Sequence, residues 1–235
     1  MAKRTALITG AAGGLGGAVV ETFLADGWRV VAPELAEAVD RLTRPAAGGG
    51  PAIEPVAADL FDPAEVGGVV RLAAADPDAP LRAVINLVGG FAAGGKVHET
   101  PIAAFESLLA LNLRPTYLVT AAALPHLVAA GGGAVVCVSS RAATHPFPGA
   151  AGYVTAKAAV LAFAGAVAVE YRSAGVRCNT VLPGMIDTPG NRAAMPDADR
   201  SGWVPPAQIA RVIRFLAGDG SAPTTGAAVP VHGLR

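Results

Sequence analysis

Short apolar runs alternate with helix-length segments along the whole chain. The runs fall at residues 6–9, 29–32, 53–58, 83–87, 134–139, 176–182 and 227–231. They are continuously apolar rather than alternating, which is the pattern of strands covered by helices on both faces. Strand–helix alternation of this kind predicts an α/β fold with one doubly wound, mostly parallel sheet of seven strands. Proline cannot donate to a strand ladder, so Pro230 places the last run at a sheet edge, and Pro55 argues the same for the third.

Between the runs, Leu15, Val19, Val20, Phe23 and Leu24 make one apolar helix face, with Gly27 as its C-terminal stop. Residues 105–127 predict a long helix containing Pro115, and residues 153–172 another rich in Ala and Gly. Because Pro115 lacks an N–H, the carbonyl of Leu111 loses its helix partner and a bend is expected nearby. The Ala-Ala-Gly-Gly-Gly run at 46–50 reads as a loop inside one domain, since the strand pattern resumes at once. Residues 186–206 lack periodicity and predict a lid or substrate loop. A single domain spanning residues 1–235 accounts for these elements.

Composition narrows the partners. The chain has 235 residues, 52% hydrophobic and 15% charged, the size of one α/β domain. A formal net charge of zero gives no reason to expect a nucleic-acid or anionic-membrane partner. Gly, Pro or a charge interrupts each apolar run before membrane-spanning length. The glycines from Gly10 onward break the N-terminal apolar stretch too early for a signal peptide, so a cytoplasmic protein is expected. Cys137 and Cys178 lie within apolar strand patterns and read as small core residues. His98, His126 and His232 show no metal-like grouping, and no metal site is expected.

Three features carry chemistry. Thr9-Gly10-Ala11-Ala12-Gly13-Gly14-Leu15-Gly16 follows the first strand and opens the first helix. Glycines there let the backbone approach a pyrophosphate, and the helix N-terminus offers free N–H groups; the alternative is a plain glycine turn. Glu34, just past the second strand, can accept both adenosine ribose hydroxyls and would repel a ribose phosphate, which favours NAD(H) while leaving NADP(H) open. Tyr153 and Lys157 lie four residues apart on one helix face. Ionising a phenol at pH 7 costs roughly 4 kcal/mol. An ammonium about 6 Å away, at an effective dielectric near 20, returns roughly 2.8 kcal/mol of that. The alternative reading is an exposed pair without function.

The glycine turn T-G-x-x-x-G-x-G with Tyr153 and Lys157 far downstream resembles the short-chain dehydrogenase/reductase family over essentially the whole chain, and implies a Rossmann-type fold. The resemblance implies cofactor contacts at Thr9, Gly10, Gly14, Leu15, Gly16 and Glu34, at Asp59 and Leu60 after the third strand, and at Asn86 and Gly89 after the fourth. It adds Pro183 and Gly184 after the sixth strand, Thr188 near the carboxamide, and Tyr153 and Lys157. The catalytic set it implies is Asn112, Ser140, Tyr153 and Lys157; Ser140, thirteen residues before Tyr153, is chosen over Ser139. Thr225-Gly226 matches the family's closing T-G. The family usually associates through the helices carrying Asn112 and Tyr153, implying a homodimer or homotetramer.

A narrower likeness runs through Ile186-Asp187-Thr188-Pro189, Asn191-Arg192, Met195-Pro196, Ala198-Asp199 and Trp203, which are similar to dihydropteridine reductase, as is the glycine-rich 89–95 loop. That enzyme lacks the catalytic serine, whereas this chain has Ser140. The leading expectation is a hydride transfer between a nicotinamide and a small carbonyl or alcohol. Tyr153 would be the general acid/base, Ser140 would fix the reacting oxygen, Lys157 would hold the ribose and lower the Tyr153 pKa, and Asn112 would hold a water leading to solvent. Reduction of a quinonoid pterin is one alternative, and a non-catalytic dinucleotide sensor another. Arg141, His145, Phe91, Phe147, Met195 and Trp203 are candidate substrate neighbours whose other reading is ordinary loop or packing positions.

Overall fold

The computed structural model describes residues 3–42 and 53–233; the loop expected at 46–50 lies outside them. The strands are β1 (Thr5–Thr9), β2 (Arg29–Glu34), β3 (Ile53–Ala57), β4 (Leu81–Asn86), β5 (Gly133–Val138), β6 (Val176–Pro183) and β7 (Ala228–Val231). The helices are α1 (Gly16–Ala25), α2 (Ala36–Val39), α3 (Pro63–Ala74), α4 (Ile102–Ala129), α5 (Ala151–Glu170), α6 (Pro189–Ala194) and α7 (Pro206–Ala217). The strands form one parallel sheet in the order β3-β2-β1-β4-β5-β6-β7. β3 and β7, which carry Pro55 and Pro230, are its two edges, as a residue without an N–H requires.

Successive strand residues point to opposite faces and feed two apolar layers. Leu7, Val31, Val84 and Val135 pack with Val69 of α3, Val119 of α4 and Val160 of α5. Ala6, Ile8, Ile85 and Val136 pack with Val19 and Phe23 of α1 and Ile209 and Ile213 of α7. Both faces are dry, which is why the strands read as unbroken apolar runs.

Two elements differ from expectation. By length and composition α5 is apolar enough to cross a membrane, although the interrupted apolar runs predicted none. Its inner face, with Val160, Ala164, Val167 and Ala168, is core, and Lys157 is buried beside it, so the small apolar residues serve close packing on α4 and β6. Residues 186–206 are not wholly irregular. Thr188 caps α6 by accepting from Asn191 N (3.2 Å), Pro189 sits in its first turn, and Ile186 bridges Val204 in parallel.

The sheet order determines where a ligand can sit. From β1 the chain runs outward to β3, then crosses back to β4 on the other side of β1. The loops leaving β1 and β4 therefore turn to opposite faces and leave a crevice at the carboxyl ends of the strands. Thr9 is level with Asn86, and Asn86 with Cys137, so the loops that follow β1, β4 and β5 emerge side by side.

Candidate active site

Gly10 leaves β1 at φ +68°, and a Cβ there would lie 3.2 Å from Val88 N. Gly13 N donates to Gly10 O (3.1 Å) and closes the turn. A Cβ on Gly16 would run into the carbonyl oxygens of Gly10 and Ala11, so only glycine lets α1 start against the turn. Gly14 faces Thr188 closely enough that a Cβ would fall 2.7 Å from the threonine methyl carbon. The first turn of α1 has no side-chain cap, which leaves its N–H groups open to an anion, and Leu15 beside them packs half-buried on the core.

Glu34, at the end of β2, accepts from Ala12 N (2.8 Å), so its carboxylate stands against the glycine turn. Asp59 is exposed past β3 and accepts from Phe61 N (2.9 Å). Three expected cofactor residues have side chains turned inward. Thr9 Oγ1 accepts from Leu87 N (3.1 Å) and donates to Ile85 O (3.4 Å). Asn86 Nδ2 donates to Thr120 Oγ1 (2.9 Å), and Leu60 belongs to the core. These side chains brace the strands, because continuous strand burial reaches the last residue of β1 and β4. Pro183 is buried at the end of β6, and Gly184 N donates to Val231 O (2.9 Å).

The four expected catalytic residues converge beside Gly89. Asn112, 1% exposed on α4, accepts from Gly90 N (3.2 Å) and donates to Gly90 O (3.1 Å) and Leu108 O (2.9 Å). It is not a solvent-facing residue but a clamp on the loop after β4. A Cβ on Gly89 would meet Asn112 Oδ1 at 2.5 Å and Lys157 Nζ at 2.9 Å, so the glycine is what lets the two approach. Lys157 Nζ donates to Val138 O (3.2 Å) and lies 5.9 Å from the centroid of the Tyr153 ring. Ser140 follows β5, accepts from Ala142 N (3.1 Å), and its hydroxyl stands close enough to the Tyr153 phenol to act on its ionisation. Ser139 instead donates to Lys157 O (2.7 Å) and is buried, so its hydroxyl is turned away from Tyr153 into a backbone contact.

Electrostatics at the site runs against one expectation. Burial raises the Tyr153 phenol above its ordinary pKa, and the opposing influence is the Ser140 hydroxyl rather than the expected Lys157 ammonium. Burial also pulls Lys157 down to about 8, with Cys137 acting in the other direction. The ammonium is thus only weakly held in its charged form, and it lies over the ring and toward Val138 O.

Three ring contacts had no signal in the sequence. Phe91 packs edge-on against Tyr153, with ring centroids 5.0 Å apart, and reaches Phe147 at 6.3 Å. His145 and His232 face each other at 6.4 Å. Each joins residues far apart in the chain, and only the loop docking of Gly94 N on Gly149 O (2.9 Å) and the pairing of β6 with β7 bring them together.

Residues 4–199 match the short chain dehydrogenase family, and the chain belongs to it. It is 34% identical over 245 residues to 2-(R)-hydroxypropyl-CoM dehydrogenase of Xanthobacter autotrophicus, covering 98% of each chain. It is 32% identical over 243 residues to 2,5-dichloro-2,5-cyclohexadiene-1,4-diol dehydrogenase LinX of Sphingobium indicum, covering 99% of this chain and 96% of that one. A solved short-chain type dehydrogenase/reductase from Mycobacterium ulcerans is similar with a TM-score of 0.88 at 28% identity, covering 97% of this chain and 88% of that one. The protein is accordingly a dinucleotide-binding oxidoreductase of the kind that interconverts CH–OH and C=O with NAD(H) or NADP(H).

Proposed function

We propose that this protein interconverts a small secondary alcohol and its ketone, with Tyr153 as general acid/base. The carrying observation is that Ser140, Tyr153, Lys157 and Asn112 meet at the carboxyl ends of β4 and β5, beside a glycine turn that a Cβ would fill. The dinucleotide, when bound, accepts or gives the hydride at its nicotinamide. In alcohol oxidation the substrate hydroxyl proton passes to the ionised Tyr153 oxygen as the C–H hydride departs, and in reduction Tyr153–OH returns the proton. Ser140 Oγ hydrogen-bonds the same substrate oxygen and fixes it against the phenol. Lys157 holds ribose hydroxyls and carries the proton toward solvent through water, while Asn112 clamps the loop after β4 beside it. Because burial raises the phenol and weakens the ammonium, the positive ring of the oxidised dinucleotide is needed to bring Tyr153 into working range.

Glu34 beside Ala12 N supports NAD(H) over NADP(H), since a ribose phosphate there would face a carboxylate. Glu34→Ala should raise NADPH affinity relative to NADH; a wild-type protein that binds NADPH more tightly than NADH would overturn the preference. Exposed Phe91 against Tyr153, with Phe147 behind it, favours an apolar substrate body, and residues 186–206 serve as its lid. Ser140 against the phenol favours carbonyl chemistry over quinonoid pterin reduction. Two free buried thiols, Cys137 and Cys178, suit the reducing cytoplasm. For assembly, an open groove of ≈ 520 Å³ on the α4–α5 face, lined by Leu113, Tyr117 and Phe163 among others, supports a homodimer or homotetramer. Mixing the protein with NAD⁺ and a panel of secondary alcohols should give NADH, and a panel-wide absence of turnover with intact NAD⁺ binding would favour the sensor reading.

A further inference from the structure

The loop leaving β5 and the residue leaving β7 gather basic side chains that the hydride-transfer chemistry does not use. Arg141 directly follows Ser140, and its carbonyl accepts from His145 N (2.9 Å), folding the loop back so that both side chains belong to one turn. The His145 ring stands edge-to-face with His232, 6.4 Å away. The His232 backbone packs on Gly184, whose added Cβ would lie 3.3 Å from His232 Cα. The three side chains therefore sit over the carboxyl ends of β5, β6 and β7, on the Ser140 side of the crevice and away from the strands that carry Glu34 and Asp59.

The charge pattern there is one-signed. Among the described residues, no carboxylate pairs with Arg141, His145 or His232. Asp187, the acid nearest in sequence to Gly184, is taken by both Arg192 nitrogens, Nε and Nη2. Burial, and after it the nearby Arg141 and His145, hold the His232 pKa below the ordinary histidine value. His232 Nε2 has no hydrogen-bond partner among the described residues, an orphaned polar atom in a half-buried ring beside His145. His145 Nδ1 is engaged with Thr144 Oγ1 (2.9 Å), which leaves Nε2 for a ligand. Arg141 offers a planar fork suited to an oxyanion.

We propose that Arg141, His145 and His232 form a subsite for an anionic group on the substrate, which makes the substrate a carboxylate- or sulfonate-bearing alcohol or ketone. This rests on the oxidoreductase reading above and adds the charge of the substrate to it. Direct binding tests it. The protein with NAD⁺ present is titrated calorimetrically with benzoate, benzenesulfonate and neutral benzamide, alongside Arg141→Gln and His232→Gln. One or both anions should bind wild type at least tenfold more tightly than benzamide, and both variants should erase that advantage. The stronger of the two anions identifies the group. Equal binding of anions and amide by wild type, no anion binding, or variants that keep the advantage would each overturn the subsite. A separate NAD⁺ titration reports on the oxidoreductase reading, so failure of one is distinguishable from failure of the other.

Discussion

Lys157 is the residue whose burial has the most measurable consequence. Its folded pKa of about 8 lies below the ordinary 10.5, a gap worth on the order of 3 kcal/mol. A lowered lysine pKa means that the folded state resists the proton. The cost is therefore full below pH 8, where the ammonium is charged in both states, and fades as pH rises toward 10.5. Lys157→Met, close in volume and uncharged, should melt at a higher temperature than wild type at pH 7, with the difference shrinking through that window. Equal melting at pH 7, or a difference that persists unchanged to pH 10.5, would show that the ammonium is better solvated than the structure indicates. The pairing of Tyr153 with Lys157 on one helix face was legible from helical spacing, whereas Ser140 and Asn112 came from the family resemblance alone. The electrostatic balance between them was not legible. Spacing places Lys157 near Tyr153 but does not say that its amine turns to Val138 O, nor how much water burial removes.

At the scale of elements, the glycines decide where backbone and side chains can meet. Gly89 separates Asn112 Oδ1 from Lys157 Nζ, and there is no room for a methyl group between them. Gly89→Ala should lower kcat about tenfold or more by displacing the lysine or the loop after β4, on the scale of an overpacked core position. Dinucleotide affinity should change less, since the glycine turn after β1 is untouched. Unchanged kcat would mean that the two polar groups can separate without loss. The strands were readable because helices cover both sheet faces and leave no polar alternation, and the two edge strands because each carries a proline. Helix α6 escaped notice because one capped turn and a half is too short to show periodicity. Helix α5 was read as a helix, and its small apolar residues, which serve close packing, give it the composition of a membrane span.

For the whole molecule, the sheet order places a dinucleotide crevice between β1 and β4 and leaves the outer α4–α5 face bare. Tyr117 is 53% exposed there, in a groove it shares with Leu109, Leu113 and Phe163, the kind of apolar patch that marks an interface. Sedimentation should find a dimer or tetramer, and Tyr117→Glu should shift it toward monomer; a monomeric wild type would contradict the assembly. No feature of the linear chain could reveal the His145–His232 pairing, which depends on β6 and β7 lying side by side. The central claim is that Tyr153 moves the proton. The decisive measurement is kcat of Tyr153→Phe with a substrate that wild type turns over, taken with the NADH affinity of both proteins. Removing the phenolic hydroxyl should lower kcat by roughly a hundred- to ten-thousand-fold while NADH still binds. A variant that keeps wild-type kcat would contradict the account.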